Sequence, residues 1–384
     1  MKTLKQNLFG YITIAICAGI MIYFVVATGG IGALSTIFQN MSPLWLILAF
    51  GAAAMVWVME AASFHTISTH IYRGWKFNYS FSASMVGLLY CCITPFSTGG
   101  QPMQIYSLQK KGMTTGAASA IVAVRSLIYQ LALVVFSIVM VILRLSYFTE
   151  MTGFAVLLLA GLVCNLTYVS FLILLMKSPR TTDRIVRFGV NLFAKLRLCR
   201  DPEGRYDKIH AQLALFHRNI TMLGRSLKMY LAAFFFSFFQ FVFQCLIPYF
   251  LYMACFASPV FDAGRADFLT VMAAQAFVLM VSYFIPTPGA AGGAEVSYYG
   301  FFETVYQQAV AAAPNAAIAM GDVTSLLSGT MFLWRFISFY LTIIAGGIFV
   351  PISDRQKRLT LENKLFDEEA LREAESHHDD AVVK

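Results

Sequence analysis

The sequence predicts an all-α polytopic membrane protein, with about six full spans and two re-entrant helical hairpins arranged as an inverted repeat. Three observations predict it. Of 384 residues, 58% are hydrophobic and 12% charged, about half the charged fraction of an ordinary soluble domain. Apolar runs long enough to cross ~30 Å of hydrocarbon recur along the chain. Two further apolar regions are broken by one shared pattern, TPFSTGG at 94–100 and TPGAAGG at 287–293.

The first element, residues 8–27, follows the basic start set by Lys2 and Lys5. It resembles a signal peptide but is long enough to span and is followed by no A-x-A site, so it reads as an uncleaved first helix. Further spans are expected at roughly 43–63, 116–143, 153–176, 229–254 and 322–350. The broken regions are 82–109 and 267–310. The organisation expected is one membrane unit over 1–350, with repeat halves at about 43–143 and 229–350. A basic loop at 177–228 joins the halves, and a charged tail at 351–384 reads as a helix fraying outside the membrane.

Charge sets the expected orientation. Residues 177–228 hold 12 Lys/Arg against 4 Asp/Glu, a net of +8 that equals the net charge of the whole chain. The positive-inside rule places this loop in the cytoplasm, with the N-terminus, the Arg73/Lys76 and Lys110/Lys111 pairs, and the tail carrying Arg355, Lys357 and Arg358. Loops 28–42 and 306–321 contain no Lys or Arg and belong outside. Region 82–109 then begins and ends inside, and region 267–310 begins and ends outside, with Arg265 flanked by Asp262 and Asp267. Each is a hairpin, and the two enter from opposite faces.

The interruptions align without gaps: Thr94-Pro95-x-x-x-Gly99-Gly100 on Thr287-Pro288-x-x-x-Gly292-Gly293. Each is followed by a span with one arginine, Arg125 in VRSLIYQL and Arg335 in WRFISFYL. Inverted repeats with broken helices at mid-depth are the architecture of secondary transporters. Proline ends a helix, paired glycines admit φ > 0 and close backbone approach, and irregular backbone survives at membrane depth only where protein or a wet cavity receives it. Half-helix tips leave unpaired N–H groups that favour an anion. Thr94, Ser97, Thr98, Gln101 and Gln104 add polar side chains at the first tip, and Glu295 lies just beyond the second. The competing reading is a packed kink without a ligand.

Arg125 lies about nine residues, ~14 Å, into its span, and Arg335 about thirteen residues, ~20 Å, into its own, at 1.5 Å per residue. A mid-depth arginine costs at least ~2.5–3.5 kcal/mol to insert and needs a partner; Glu60 and Glu295 are the candidate counter-charges. Two readings stand side by side: buried Arg–Glu bridges that fix the bundle, and guanidinium groups that hold a phosphodiester.

Other features carry less. The seven cysteines show no CxxC or Cys/His metal spacing, and Cys17, Cys164, Cys245 and Cys255 read as small buried hydrophobes. His65 and His70 are spaced i,i+5, wrong for a helical metal pair, and read as loop histidines. The run LAAFFFSFFQFVFQ at 231–244 reads as a lipid-facing belt. The loop 177–228 is either an amphipathic helix on anionic lipid or a solvated segment.

At ITPFSTGGQPMQIYSLQKKG and PTPGAAGGAE the chain resembles the flippase-like membrane domain of the lysylphosphatidylglycerol synthase (multiple peptide resistance factor) family, over about residues 8 to 350. The resemblance implies a multi-pass protein of the bacterial cytoplasmic membrane that moves aminoacylated phosphatidylglycerol to the outer leaflet, which weakens binding of cationic antimicrobial peptides. It supports Thr94–Gln104 and Thr287–Glu295 as functional segments; Arg125, Arg335 and Glu60 rest on the burial argument alone. In the bifunctional members a large C-terminal soluble domain transfers lysine from its tRNA to the lipid. Here 34 residues follow the last span, so that transferase is not expected.

The leading expectation is therefore a lipid flippase whose headgroup phosphate sits at the two tips near Arg125 and Arg335. Its partners would be the phospholipid and, optionally, a separate lipid-modifying enzyme, with no nucleic acid, cofactor or metal. No GxxxxGK[ST] occurs in the sequence, so ATP is not the direct drive. A phosphatidylglycerol lysyltransferase or its membrane partner, and a non-transporting envelope scaffold, are the alternatives.

Overall fold

The computed structural model describes residues 41–149 except 73, 154–195, 202–256 except 225, 268–312 except 284, and 323–355, with the single positions 19 and 38. The expected first span at 8–27, the loop charges Asp262, Arg265 and Asp267, Cys17 and the tail beyond 355 lie outside the described residues.

All regular structure among the described residues is helical. In chain order the helices are α1 (Pro43–Ile71), α2 (Phe77–Ile93), α3 (Gly100–Lys110), α4 (Thr115–Leu143), a short α5 (Leu145–Thr149), α6 (Phe154–Lys177), α7 (Pro179–Lys195), α8 (Pro202–Leu223), α9 (Leu227–Phe256), α10 (Phe268–Ser282), α11 (Gly293–Ala312), α12 (Val323–Arg335) and α13 (Leu341–Arg355). A 3₁₀ turn at Pro95–Ser97 joins α2 to α3, and another at Pro288–Ala290 lies between α10 and α11. A π turn, Phe336–Tyr340, joins α12 to α13. Among the described residues, five stretches are long and apolar enough to cross a bilayer: α1, α4, the Ala160–Lys177 part of α6, α9, and α12 through α13. Each falls on an expected span.

Lipid offers no hydrophobic drive for two such helices to associate, so close approach through small side chains must hold them. The seam of α1 with α9 is built that way. Ala49, Ala52 and Ala53 are buried on α1, and Ala233 and Ser237 on α9. The pair is antiparallel. Ser42 N–H donates to Ala254 O, Ser63 Oγ donates to Ala233 O, and His70 Nε2 lies 3.3 Å from Ser226 Oγ.

α1 runs past the expected end at 63 and takes His65 and His70 with it, which corrects their reading as loop residues. The polar stretch stays helical because its hydroxyls bond back along the helix. Thr66, Ser68 and Thr69 donate to the carbonyls of Ala62, Phe64 and His65. The loop 177–228 is likewise two helices, α7 and α8, with α8 packed on the start of α4. Gly116 admits that contact: a Cβ there would meet Gln212 O at 2.5 Å. The aromatic run 231–244 is divided between two environments. Phe235 and Phe239 are exposed, whereas Phe241 is fully buried beside Ser237 and Gln240. Cys245 and Cys255 are buried as expected, but Cys164 is exposed on α6.

The two broken regions are helix–turn–helix units that point in opposite directions. α2 lies antiparallel to α13, with Phe81 against Phe349 and Leu89 against Gly346. Lys110, at the end of α3, bonds Asp354 at 2.7 Å, so both outer ends of the first unit lie at the end of the bundle where α13 terminates. The second unit starts at the other end, where Phe268 meets Tyr249 of α9. It returns there, with Tyr306 against Tyr252 and Phe256. Between these ends the two 3₁₀ turns touch each other. The neighbours correspond too: α2 packs on α13 as α10 packs on α4, and α3 meets α4 as α11 meets α12.

Candidate functional site at the paired turns

The shared sequence produces a shared backbone. Thr94 and Thr287 are both extended, and Pro95 and Pro288 open the turns. The third and fourth residues of each take positive φ: Phe96 (52°) and Ser97 (55°), Gly289 (59°) and Ala290 (56°). The hydrogen bonds repeat as well. Ser97 N–H donates to Thr94 O and Thr98 N–H to Pro95 O; Ala290 N–H donates to Thr287 O and Ala291 N–H to Pro288 O. Three non-glycine residues in the left-handed region, within two touching turns, concentrate backbone strain at this one place.

The glycines divide the labour differently from the sequence expectation. Gly292 takes φ 87°, but Gly99 is right-handed at φ −76°. The first pair serves close approach instead: a Cβ on Gly100 would lie 2.1 Å from Cys91 Sγ and 3.0 Å from Gly87 O. Nor do both tips offer free N–H groups. Gly99 N–H donates to Thr94 Oγ1 at 2.9 Å, and Gly292 N–H donates to Glu295 Oε2 at 2.7 Å. Glu295 is the third residue of α11, the position from which a glutamate reaches back to the N-cap. Gln104 is not at the tip; it is buried between the limbs of the first unit, against Gly87. Gln101 is half-buried, and Phe96 and Thr98 are exposed.

Both arginines meet a candidate counter-charge, and the structure decides which. Arg125 Nη2 pairs with Glu60 Oε2, and Arg335 Nε donates to Glu295 Oε1 at 2.7 Å. Both glutamates are buried, as is Arg335, and the Arg125 side chain is 12% exposed. The pairs differ in completeness. Arg335 also reaches Ala290 O at 3.4 Å, which fastens it to the second turn. Arg125 Nε and Glu60 Oε1 are buried with no hydrogen-bond partner, so this pair retains bonding capacity.

Aromatic rings complete the surroundings and had no place in the sequence expectation. Arg125 sits 4.7 Å from the Tyr129 ring, and Arg335 lies 5.2 Å from Phe339 and 5.3 Å from Trp334. Tyr129 OH hydrogen-bonds Tyr283 OH, which ties Arg125 to the base of the second turn. The signal was available: each arginine carries an aromatic residue four positions on, one helical turn away and on the same face. The π turn starts directly after Arg335, and such turns often mark functional positions.

Buried Arg–Glu pairs beside strained, touching turns within a bundle of apolar helices define a multi-pass α-helical membrane protein. Residues 10–346 match the family model described as the lysylphosphatidylglycerol synthase TM region, and the chain belongs to that family. A UPF0104 membrane protein of Archaeoglobus fulgidus is 26% identical over 325 residues, covering 81% of this chain and 87% of the relative.

Proposed function

We propose that this protein is a lipid transporter that moves an anionic or aminoacylated phospholipid between leaflets of the cytoplasmic membrane. The observation that carries the reading is the contact between two equivalent turns reached from opposite ends of the bundle. In a bilayer these units are re-entrant hairpins and the repeat is inverted, with halves at about 43–143 and 229–350. The basic ends and both termini face the cytoplasm. Loops assigned to one side by charge do meet at one end of the bundle: Lys110 with Asp354, His70 with Ser226, and the Gly116 N–H with Gln212.

The phosphate binds at the Arg125 side of the turns. Arg125 Nε offers an unused donor there, and guanidinium suits phosphate. The second tip contributes position rather than an amide, because Glu295 occupies the Gly292 N–H. An ammonium on the lipid would meet Glu60, whose Oε1 is free of hydrogen bonds. Tyr129 and Tyr283 close the site between the halves, and rocking of one half against the other exposes it to each leaflet in turn.

The test is translocation of a fluorescent phosphatidylglycerol in proteoliposomes. Arg125→Ala alone would leave Glu60 buried and unpaired, so the informative variant is Arg125→Gln with Glu60→Gln, checked for a wild-type unfolding profile. Loss of translocation with the fold retained supports the reading, and wild-type rates would remove the pair from the site. Purified protein given labelled lysyl-tRNA should transfer no label to lipid; transfer would favour the synthase alternative.

A further inference from the structure

α7 lies beside α8, which packs on the start of α4, and its role is independent of transport. α6 is a spanning helix that ends at Lys177, and α7 begins at Pro179. One residue separates them. Ser178 Oγ accepts the Thr181 N–H at 3.3 Å, and Thr182 Oγ1 donates to Leu175 O at 2.8 Å, which fixes the elbow. α7 therefore starts at the depth where the hydrocarbon stops.

Its outward face is not that of a solvated helix. Phe188 is 69% exposed, Leu192 45% and Ile185 41%. Wound at about 100° per residue, these three fall within about 60° of one another, and Lys195, Arg184 and Arg180 occupy the next ~80° on one side. All three cations are exposed. Val190 is buried on the opposite side of the helix, and Thr182 is buried about 60° from Ile185 on the flank away from the cations, so the apolar stripe is left over after α7 has packed. The acid that would offset the cations is withdrawn. Tyr206 OH donates to Asp183 Oδ1 at 2.5 Å, and His210 Nε2 is 3.7 Å from the same oxygen. Arg187 is turned to the Tyr206 ring, at 4.6 Å.

We propose that α7 lies in the plane of the membrane surface and binds anionic lipid headgroups, with Ile185, Phe188 and Leu192 seated in the acyl boundary and Arg180, Arg184 and Lys195 on the phosphates. Apolar residues beside a row of cations are the makeup of an interfacial helix, and an anionic leaflet attracts such cations within a Debye length.

The experiment uses the full chain with its native cysteines replaced and single NBD-labelled cysteines at 185, 188, 191 or 192. It is reconstituted in phosphatidylcholine vesicles with or without about 30 mol % phosphatidylglycerol, a level that gives a strongly negative surface. A shallow doxyl-lipid quencher should reduce emission at 185, 188 and 192 at least about twofold more than at 191, and anionic lipid should widen the gap. Replacing Arg180, Arg184 and Lys195 by Gln should abolish the dependence on anionic lipid. Equal quenching at 188 and 191 overturns the proposal, as does quenching indifferent to phosphatidylglycerol. Crosslinking between 188 cysteines of two copies without quenching overturns it too, by assigning the stripe to a second copy of the chain.

Discussion

Glu295 bridges Arg335 to the tip of the second turn: Oε1 accepts the Arg335 Nε–H at 2.7 Å, and Oε2 accepts the Gly292 N–H at 2.7 Å. One buried carboxylate thus fixes both a cation and the backbone that turns beside it. Removing either partner strands the other charge in a low-dielectric interior, which costs about 3–5 kcal/mol, whereas removing both does not. Arg335→Gln and Glu295→Gln should each lower stability by that order, and the double variant should lose less than either single one. A double-mutant cycle on unfolding in detergent checks this, and additive losses would show the pair to be uncoupled.

Two glycines separate close approach from helix propensity. Gly100→Ala places a Cβ 2.1 Å from Cys91 Sγ and 3.0 Å from Gly87 O, so the limbs of the first unit must part. A loss of about 1–3 kcal/mol is expected for such overpacking, partly recovered when Cys91→Ala removes the sulfur. Gly300 in α11 has nothing within 4 Å of its Cβ position. Gly300→Ala should be neutral or stabilising by up to ~1 kcal/mol from helix propensity alone. Thermal unfolding of the three variants decides it.

Five of the six expected spans, the two glutamates that neutralise the buried arginines, and the breaks at 94–100 and 287–293 were legible in the sequence; which glutamate meets which arginine was not. Each reflects a cost that the bilayer imposes on a residue whatever its neighbours: hydrocarbon length, charge burial, and the missing N–H of proline. What depended on neighbours was not legible. Nothing local shows that Gly292 N–H would be claimed by Glu295, or that Gln104 would pack on Gly87 instead of facing the tip. His65 and His70 were misplaced because polar side chains suggest a loop, until hydroxyls bonding back four residues satisfy them within a helix.

The turns hold equivalent residues with opposite fitness for their conformation. Phe96 is 57% exposed at φ 52°, where a side chain costs about 1–2 kcal/mol and packing returns little. Phe96→Gly should raise stability by about 1 kcal/mol. Gly289 occupies the matching position at φ 59°, with Phe339 Cε2 only 2.1 Å from its Cβ position. Gly289→Ala therefore combines strain with a clash and should destabilise. If Phe96→Gly stabilises the fold yet slows lipid translocation, Phe96 is retained for contact with the substrate. Unchanged translocation would show its ring to be dispensable there.

Lys111 makes the stability of the basic end depend on pH. It follows α3, outside the spans, and is fully buried, with Nζ donating to Ser107 Oγ and Ser353 Oγ at 2.8 Å each. Burial pushes its pKa down to about 8; the charge of Lys110 acts in the same direction, and Asp354 opposes both. The folded value lies below the unfolded one, so Lys111 adds no penalty above about pH 10.5, where both states are neutral. As pH falls from there through 8, the unfolded chain takes the proton first and folding stability declines, by about 3 kcal/mol at full effect. Lys111→Met should therefore raise the midpoint of thermal unfolding at pH 7, and the gain should shrink to nothing above about pH 10. Ser107 and Ser353 each keep a partner in that variant, since their hydroxyls already lie 2.9 Å apart. An equal destabilisation by Lys111→Met at both pH values would show that the ammonium is held in water and not in the protein.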